Sequence, residues 1–145
     1  MAVSKTNTIR FPKLGRKAIE RYIQNTTFTL RLYKGSTSYN DGNNLWNYSQ
    51  ADYGGYSDVT ISPSNWGSPT EDGFGNVYME LSSPVAFSHS GSGNVNDIGG
   101  WIMFESSTND LLAVCDYAST KPMAASGDII AISARVYLQE GTVPA

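Results

Sequence analysis

Residues 100–117 read GWIMFESSTNDLLAVCDY. Two runs rich in aromatic and aliphatic side chains, Gly100–Glu105 and Leu111–Tyr117, flank the polar turn Ser106–Asp110 at hairpin spacing, which predicts an antiparallel pair. Downstream, Gly127-Asp128 leads into residues 129–138. There Ile130, Ile132, Ala134, Val136 and Leu138 alternate with Ile129, Ala131, Ser133, Arg135 and Tyr137, the pattern of a central strand with one buried face. Upstream, Phe28, Leu30 and Leu32 alternate with Thr29, Arg31 and Tyr33 before Gly35, a half-buried strand. Tyr56–Ser62 with Val59 and Ile61 inward, Asn76–Leu81 with Val77, Met79 and Leu81 inward, and Pro84–Phe87 add further short strands. So many short strands at this spacing predict an all-β antiparallel β-sandwich or jelly roll.

One segment departs from the two-residue period. In Gly15–Asn25 the residues Ile19, Tyr22 and Ile23 fall at helical spacing, with Lys17, Glu20 and Arg21 elsewhere round the wheel. This predicts a short amphipathic helix over 15–25, behind a basic arm over 1–14 and leading a single domain over 15–140, with 141–145 a tail. Residues 36–55 form a long polar loop carrying Trp46, Tyr48 and Tyr53, and Ser88–Asp97 reads as an exposed, mobile connection.

The chain is only 16% charged, against about 25% in average soluble domains, and its abundant Gly, Ser, Asn and Thr suit strands joined by turns. No run approaches the roughly 18 apolar residues of a membrane span, and the N-terminus lacks an apolar signal region, so synthesis in a cytoplasm and no membrane partner are expected. Cys115 is the only cysteine and sits in an apolar run, where a buried structural thiol is expected.

Charge is divided along the chain. Up to Gly35 there are eight basic residues and one acid, Glu20, a net +7; the remainder has two basic residues and twelve acids, a net −10. A basic arm on an acidic body predicts docking on an acidic surface, either of a neighbouring copy or of another protein. Lys5, Arg10, Lys13, Arg16 and Lys17 are its candidate contacts. Nucleic acid is disfavoured as partner, because its binders present a basic face on the folded domain.

Catalysis would leave a nucleophile, base and orienter, or a set of metal ligands, and none is legible. His89, the only histidine, lies in the Ser/Gly loop and reads as an exposed bystander; one His and one Cys cannot make a zinc site unaided. Asp52 with Asp58, or Glu71 with Asp72, are the carboxylate pairs that folding could bring to one groove. Asp41–Asn44 and Asn94–Asp97 offer oxygen ligands without matching a calcium-loop pattern. No enzyme activity, metal or cofactor is therefore predicted. The aromatics Trp46, Tyr48, Tyr53, Tyr56 and Trp66 suit a protein interface or a sugar-stacking surface, though several of them are expected to cap the ends of the core instead.

The order of elements carries a resemblance. The strand Leu30-Arg31-Leu32-Tyr33, the loop end Gly54-Gly55-Tyr56, the strand start Gly100-Trp101, the partner Leu111-Leu112-Ala113 and Gly127-Asp128 before the last strand resemble a group of small structural proteins of tailed bacteriophages. The likeness covers most of residues 15–139 and lies in order and spacing. It implies an all-β virion component, similar in some members to the trimeric jelly-roll cement proteins of capsid lattices, with the major capsid protein and further copies of the chain as partners. Residues 1–25 would then contact the capsid. Tail- or fibre-associated receptor- and carbohydrate-binding modules, and tail or connector proteins, are the alternatives the same resemblance implies. No catalytic or ligand-binding residue carries over.

Overall fold

Residues 12–37 and 39–139 are described by the structure, a computed structural model. In chain order they form helix α1 (Lys13–Gln24) and strands β1 (Phe28–Lys34), β2 (Val59–Ile61), β3 (Thr70–Glu71), β4 (Val77–Glu80), β5 (Val85–Ser88), β6 (Asn96–Glu105), β7 (Leu111–Met123), β8 (Ile129–Ile132) and β9 (Arg135–Leu138). Short 3-10 turns occupy Leu45–Asn47 and Pro63–Asn65. The fold is all-β with antiparallel sheets and one short helix.

The hairpin β6–β7 and strand β1 build one sheet, in the order β2-β1-β6-β7. Phe28, Leu30 and Leu32 turn to the main apolar cluster, as their alternation requires, while Tyr33 turns to the opposite face with Ile102 and Phe104. That second face is covered by the 36–50 loop, whose 3-10 turn brings in Leu45 and whose Tyr48 packs beside them. In β6, Ile98 and Trp101 both meet the main cluster although they are three apart. The odd residue is absorbed by an irregularity between Ile98 and Gly100, a bulge that switches the side-chain parity.

The last alternating run behaves differently from expectation. It is not one central strand but two: β8 pairs β5 and β9 pairs β4, with Ser133 and Ala134 between them. Residues 77–88 and 129–138 therefore make one long antiparallel ribbon with a break, bridged where the Leu81 amide donates to the Ala134 carbonyl at 3.0 Å. Pro84, which has no N–H to give a ladder, lies in the break. The alternation survives it, since Ile130, Ile132 and Ala134 are all buried and join Met79, Leu81 and Phe87 in the cluster shared with β1 and β6.

The Ser88–Asp97 connection is exposed at residues 90–95, as expected, but it is not all loop: Ser88 belongs to β5 and Asn96–Asp97 to β6, and backbone hydrogen bonds tie the turn between them to Gly54. The Gly54 amide donates to the Asn94 carbonyl at 3.0 Å and the Ser90 amide to the Gly54 carbonyl at 2.9 Å. The two backbones come so close that a Cβ on Gly54 would lie 1.5 Å from the Ser92 oxygen. His89 is buried here, not exposed: its ring stacks on Tyr53 with centroids 5.6 Å apart. Its Nδ1 accepts from the Gly91 amide at 2.9 Å and its Nε2 lies 3.0 Å from the Asn94 carbonyl, a pairing that the neutral Nε2–H tautomer satisfies.

Candidate interaction surface

Helix α1 starts at Lys13, earlier than the predicted 15, with Pro12 as its N-cap residue. Its polarity is partly inverted. The expected inward face is Ile19, Tyr22 and Ile23, yet Tyr22 is 77% exposed, while Arg16 and Glu20 are buried. Only Ile23 of the three packs against the main core. The helix is seated by polar contacts to the β3–β4 region. Lys13 and Lys17 both reach the Glu71 carboxylate, at 3.1 and 2.7 Å, and Arg16 Nη2 donates to the Gly75 carbonyl. At the other end Gln24 Nε2 reaches the Trp66 and Gly67 carbonyls at 3.5 and 3.4 Å. Hydrogen bonds from Lys17 and then Lys13 hold the Glu71 carboxyl below its ordinary range.

These contacts place the residues expected to face a partner. Lys13 and Lys17 pair with Glu71, Lys13 with its side chain still 46% exposed, and Arg16 is buried against the chain; Lys5 and Arg10 lie outside the described residues. The charge division along the sequence is thus used in part for folding: Arg31 pairs with Asp58 and Lys34 with Asp52, at 2.8 and 2.9 Å. Of the aromatic candidates, Tyr48 and Tyr53 are buried. Tyr48 tilts against Tyr33 with centroids 5.0 Å apart, and Tyr53 lies between Tyr56 and His89, where burial pushes its hydroxyl up to about 12. Neither is available to a partner. Trp46 is, at 78% exposed on the 3-10 turn, where the Asn44 side chain caps its amide at 2.9 Å.

Between the exposed Lys13 and Arg21 the helix presents an apolar stripe outward. Leu14 (75% exposed), Ala18 and Tyr22 recur every four residues and so fall on one stripe. Phe74, 87% exposed, is next to Gly75, the residue that Arg16 holds. The sequence pattern missed this stripe because it counts apolar spacing alone, and Leu14, Ala18 and Tyr22 share a helical period with the inward residues.

The carboxylates considered for catalysis are each engaged separately. Asp58 is gripped by Arg31, Asp52 by Lys34 and Asn96, Glu71 by the two lysines, and Asp72 by Tyr137 and Asn76. The Tyr137 hydroxyl, followed by the Asn76 amide, holds Asp72 well below the usual carboxylate range. Among the described residues no three of His, Cys, Asp and Glu are gathered as a metal site. Cys115 is half-buried on β7, and burial pushes its thiol up. No helix among the described residues is long and apolar enough to cross a membrane. No protein-family model, curated protein or solved structure matches the chain.

Proposed function

We propose that the chain is a non-enzymatic structural subunit of an assembled particle: a decoration, or cement, subunit on the outside of a tailed-phage capsid, folded as a β-sandwich of the jelly-roll kind and acting as a homotrimer. The observation that carries the assembly reading is the partly inverted helix. A domain that closes on itself turns the apolar side of a surface helix inward, whereas α1 buries Arg16 and Glu20 and presents Leu14, Ala18 and Tyr22. Exposed apolar patches of that kind mark protein–protein contact sites. On this reading the helix stripe, with Phe74 near it, replaces Lys13, Arg16 and Lys17 as the contact with the capsid or a neighbouring subunit.

The work of such a subunit is thermodynamic. Binding only to the assembled shell stabilises that state by linkage, and many copies add up against the pressure of packaged DNA. The test is co-sedimentation of the purified protein with heads lacking it. The double variant Leu14→Ser, Tyr22→Ser should leave the circular dichroism spectrum unchanged and abolish co-sedimentation; undiminished binding by a folded double variant would overturn the contact. A map of the whole particle with the fold repeated over the head lattice supports the capsid location, and one with the fold at the tail refutes it.

A second reading is supported by Trp46. With Tyr39, 61% exposed on the same loop, it suits a receptor- or carbohydrate-binding module of a tail or fibre. Binding to a glycan array that is lost in Trp46→Ala would favour it over the capsid reading.

A further inference from the structure

Strand β7 departs from its ladder with β6 at two places, between Met103 and Phe104 and, by more residues, between Gly100 and Ile98. Its partners step from Gly100 opposite Asp116 to Ile98 opposite Lys121, so four β7 residues, 117–120, stand opposite the single residue Gly99. The surplus backbone must arch away from the sheet. Beneath the arch the Tyr33 ring lies against bare backbone: a Cβ on Gly99 would come within 2.7 Å of that ring and 1.8 Å of the Gly35 carbonyl, and one on Gly100 within 2.6 Å of the Tyr33 hydroxyl. Gly35 ends β1 with φ at 79°, a left-handed conformation that glycine adopts without strain, and sends Ser36 and Thr37 along the other side. Between the arch and this turn is an open cavity of about 190 Å³.

Its lining is rich in hydroxyls, with Tyr117 and Ala118 as the apolar part. Ser36 and Thr37 on one side and Ser119 and Thr120 on the other offer four hydroxyls, each both a donor and an acceptor, with Asp116 and Tyr33 completing the wall. The floor sets two acceptors against one hydroxyl hydrogen. The Tyr33 hydroxyl lies 3.0 Å from the Gly99 carbonyl and also meets Asp116 Oδ1, yet it has a single hydrogen to give. Asp116 Oδ1 and the Gly99 carbonyl share that one hydrogen, so a donor in the cavity can serve either acceptor.

We propose that this cavity binds a single sugar ring, as the end or a branch of a glycan. A sugar brings several hydroxyls, each able to donate to Asp116 or the Gly99 carbonyl and to exchange hydrogen bonds with the Ser and Thr hydroxyls. The volume is below the roughly 300–1,000 Å³ of sites that take larger ligands, which limits the occupant to one ring. A cationic amine would also donate to Asp116, but Lys121 follows the lining residue Thr120, with its Nζ 5.1 Å from the ring centroid of Tyr117, another lining residue, and repels a second positive charge. The site shares no residue with the α1 stripe or with Trp46, and it holds whichever particle location is correct.

The test is an amide-resolved NMR titration of the full chain with the methyl glycosides of glucose, galactose, mannose and N-acetylglucosamine, with methylammonium as the rival probe. Expected are saturable shifts for at least one sugar at Ser36, Thr37 and residues 116–120, with a dissociation constant of roughly millimolar order. Asp116→Asn, which keeps an acceptor for the Tyr33 hydroxyl, should weaken binding about tenfold. The exposed pair Ser119→Ala, Thr120→Ala gives a second reading that leaves the Tyr33 contact untouched and should also weaken it. The assignment is overturned if no sugar gives saturable shifts, if the shifts gather round Trp46, or if methylammonium binds there and the sugars do not.

Discussion

Arg31 and Asp58, 27 residues apart in the chain, meet side-on: Nε and Nη2 of the guanidinium reach Asp58 Oδ2 at 3.1 and 2.8 Å. The carboxylate also accepts from the Tyr56 hydroxyl at 2.6 Å, and that hydroxyl takes the Leu32 amide at 2.9 Å. Asp58 is thus the hub that ties the end of the long loop to β1. Its side chain and that of Arg31 are only 22% and 17% exposed, so removing the carboxylate strands a cation and a hydroxyl in poor contact with water. Asp58→Ala should lower stability by about 2–3 kcal/mol, read as a shift of the urea midpoint, and Asp58→Asn by less. The Arg135–Glu80 pair, with both side chains about half exposed, is the control: Glu80→Ala should cost under about 1 kcal/mol. Equal losses in the two variants would refute the hub.

A second prediction concerns backbone approach. Gly99 carries the β6 bulge, and an added Cβ would collide with the Gly35 carbonyl at 1.8 Å, a contact with backbone that no side-chain rotation relieves. Gly99→Ala should cost more than about 3 kcal/mol. At Gly73 an added Cβ meets nothing within 4 Å, and Gly73→Ala should stay within about 0.5 kcal/mol. Thermal unfolding of the two variants checks both; a Gly99→Ala protein as stable as the parent would mean that the bulge does not hold Tyr33 as described.

The strands were legible because alternation is a local property. Val77 and Met79, Ile130 and Ile132, and Phe28, Leu30 and Leu32 all turn inward as their spacing demands. Pairing was legible only for β6 and β7, where a short turn leaves no other partner. The division of 129–138 between β4 and β5 was not, since nothing in an unbroken alternating run marks where its partner is interrupted. The candidate surface was read least well. The aromatic density of 46–66 does not separate Trp46, which is outside, from Tyr48 and Tyr53, which fill the two cores; that choice depends on which loop lies over which sheet. Gly54-Gly55 and the glycines at 91 and 93 did carry a signal of close backbone approach, and they mark where the two loops meet over His89.

The buried acid of the helix gives the last prediction, with a definite sign. Glu20 is fully buried, and neither carboxylate oxygen finds a hydrogen-bond partner among the described residues. The cations on the preceding turns are engaged elsewhere: Lys13 and Lys17 with Glu71 in β3, and the buried Arg16, one turn back on the same face, with the Gly75 carbonyl through Nη2. Burial pushes the Glu20 carboxyl from the ordinary 4.5 up to about 7. Between those values the unfolded chain has released a proton that the folded chain still holds, so this group's contribution to stability is complete below about pH 4.5 and is lost as pH rises to about 7. At about 1.4 kcal/mol for each pH unit the loss is on the order of 3 kcal/mol. Glu20→Gln, which cannot ionise, should remove that slope and be the more stable protein at about pH 8. The quantity to measure is the difference in urea midpoint between parent and variant at about pH 4, 6 and 8, because the lowered carboxyls of Glu71 and Asp72 titrate alike in both and cancel. A difference that does not change with pH would mean that Glu20 reaches water or a cation in solution, and that the helix does not keep its acid sealed against the sheet.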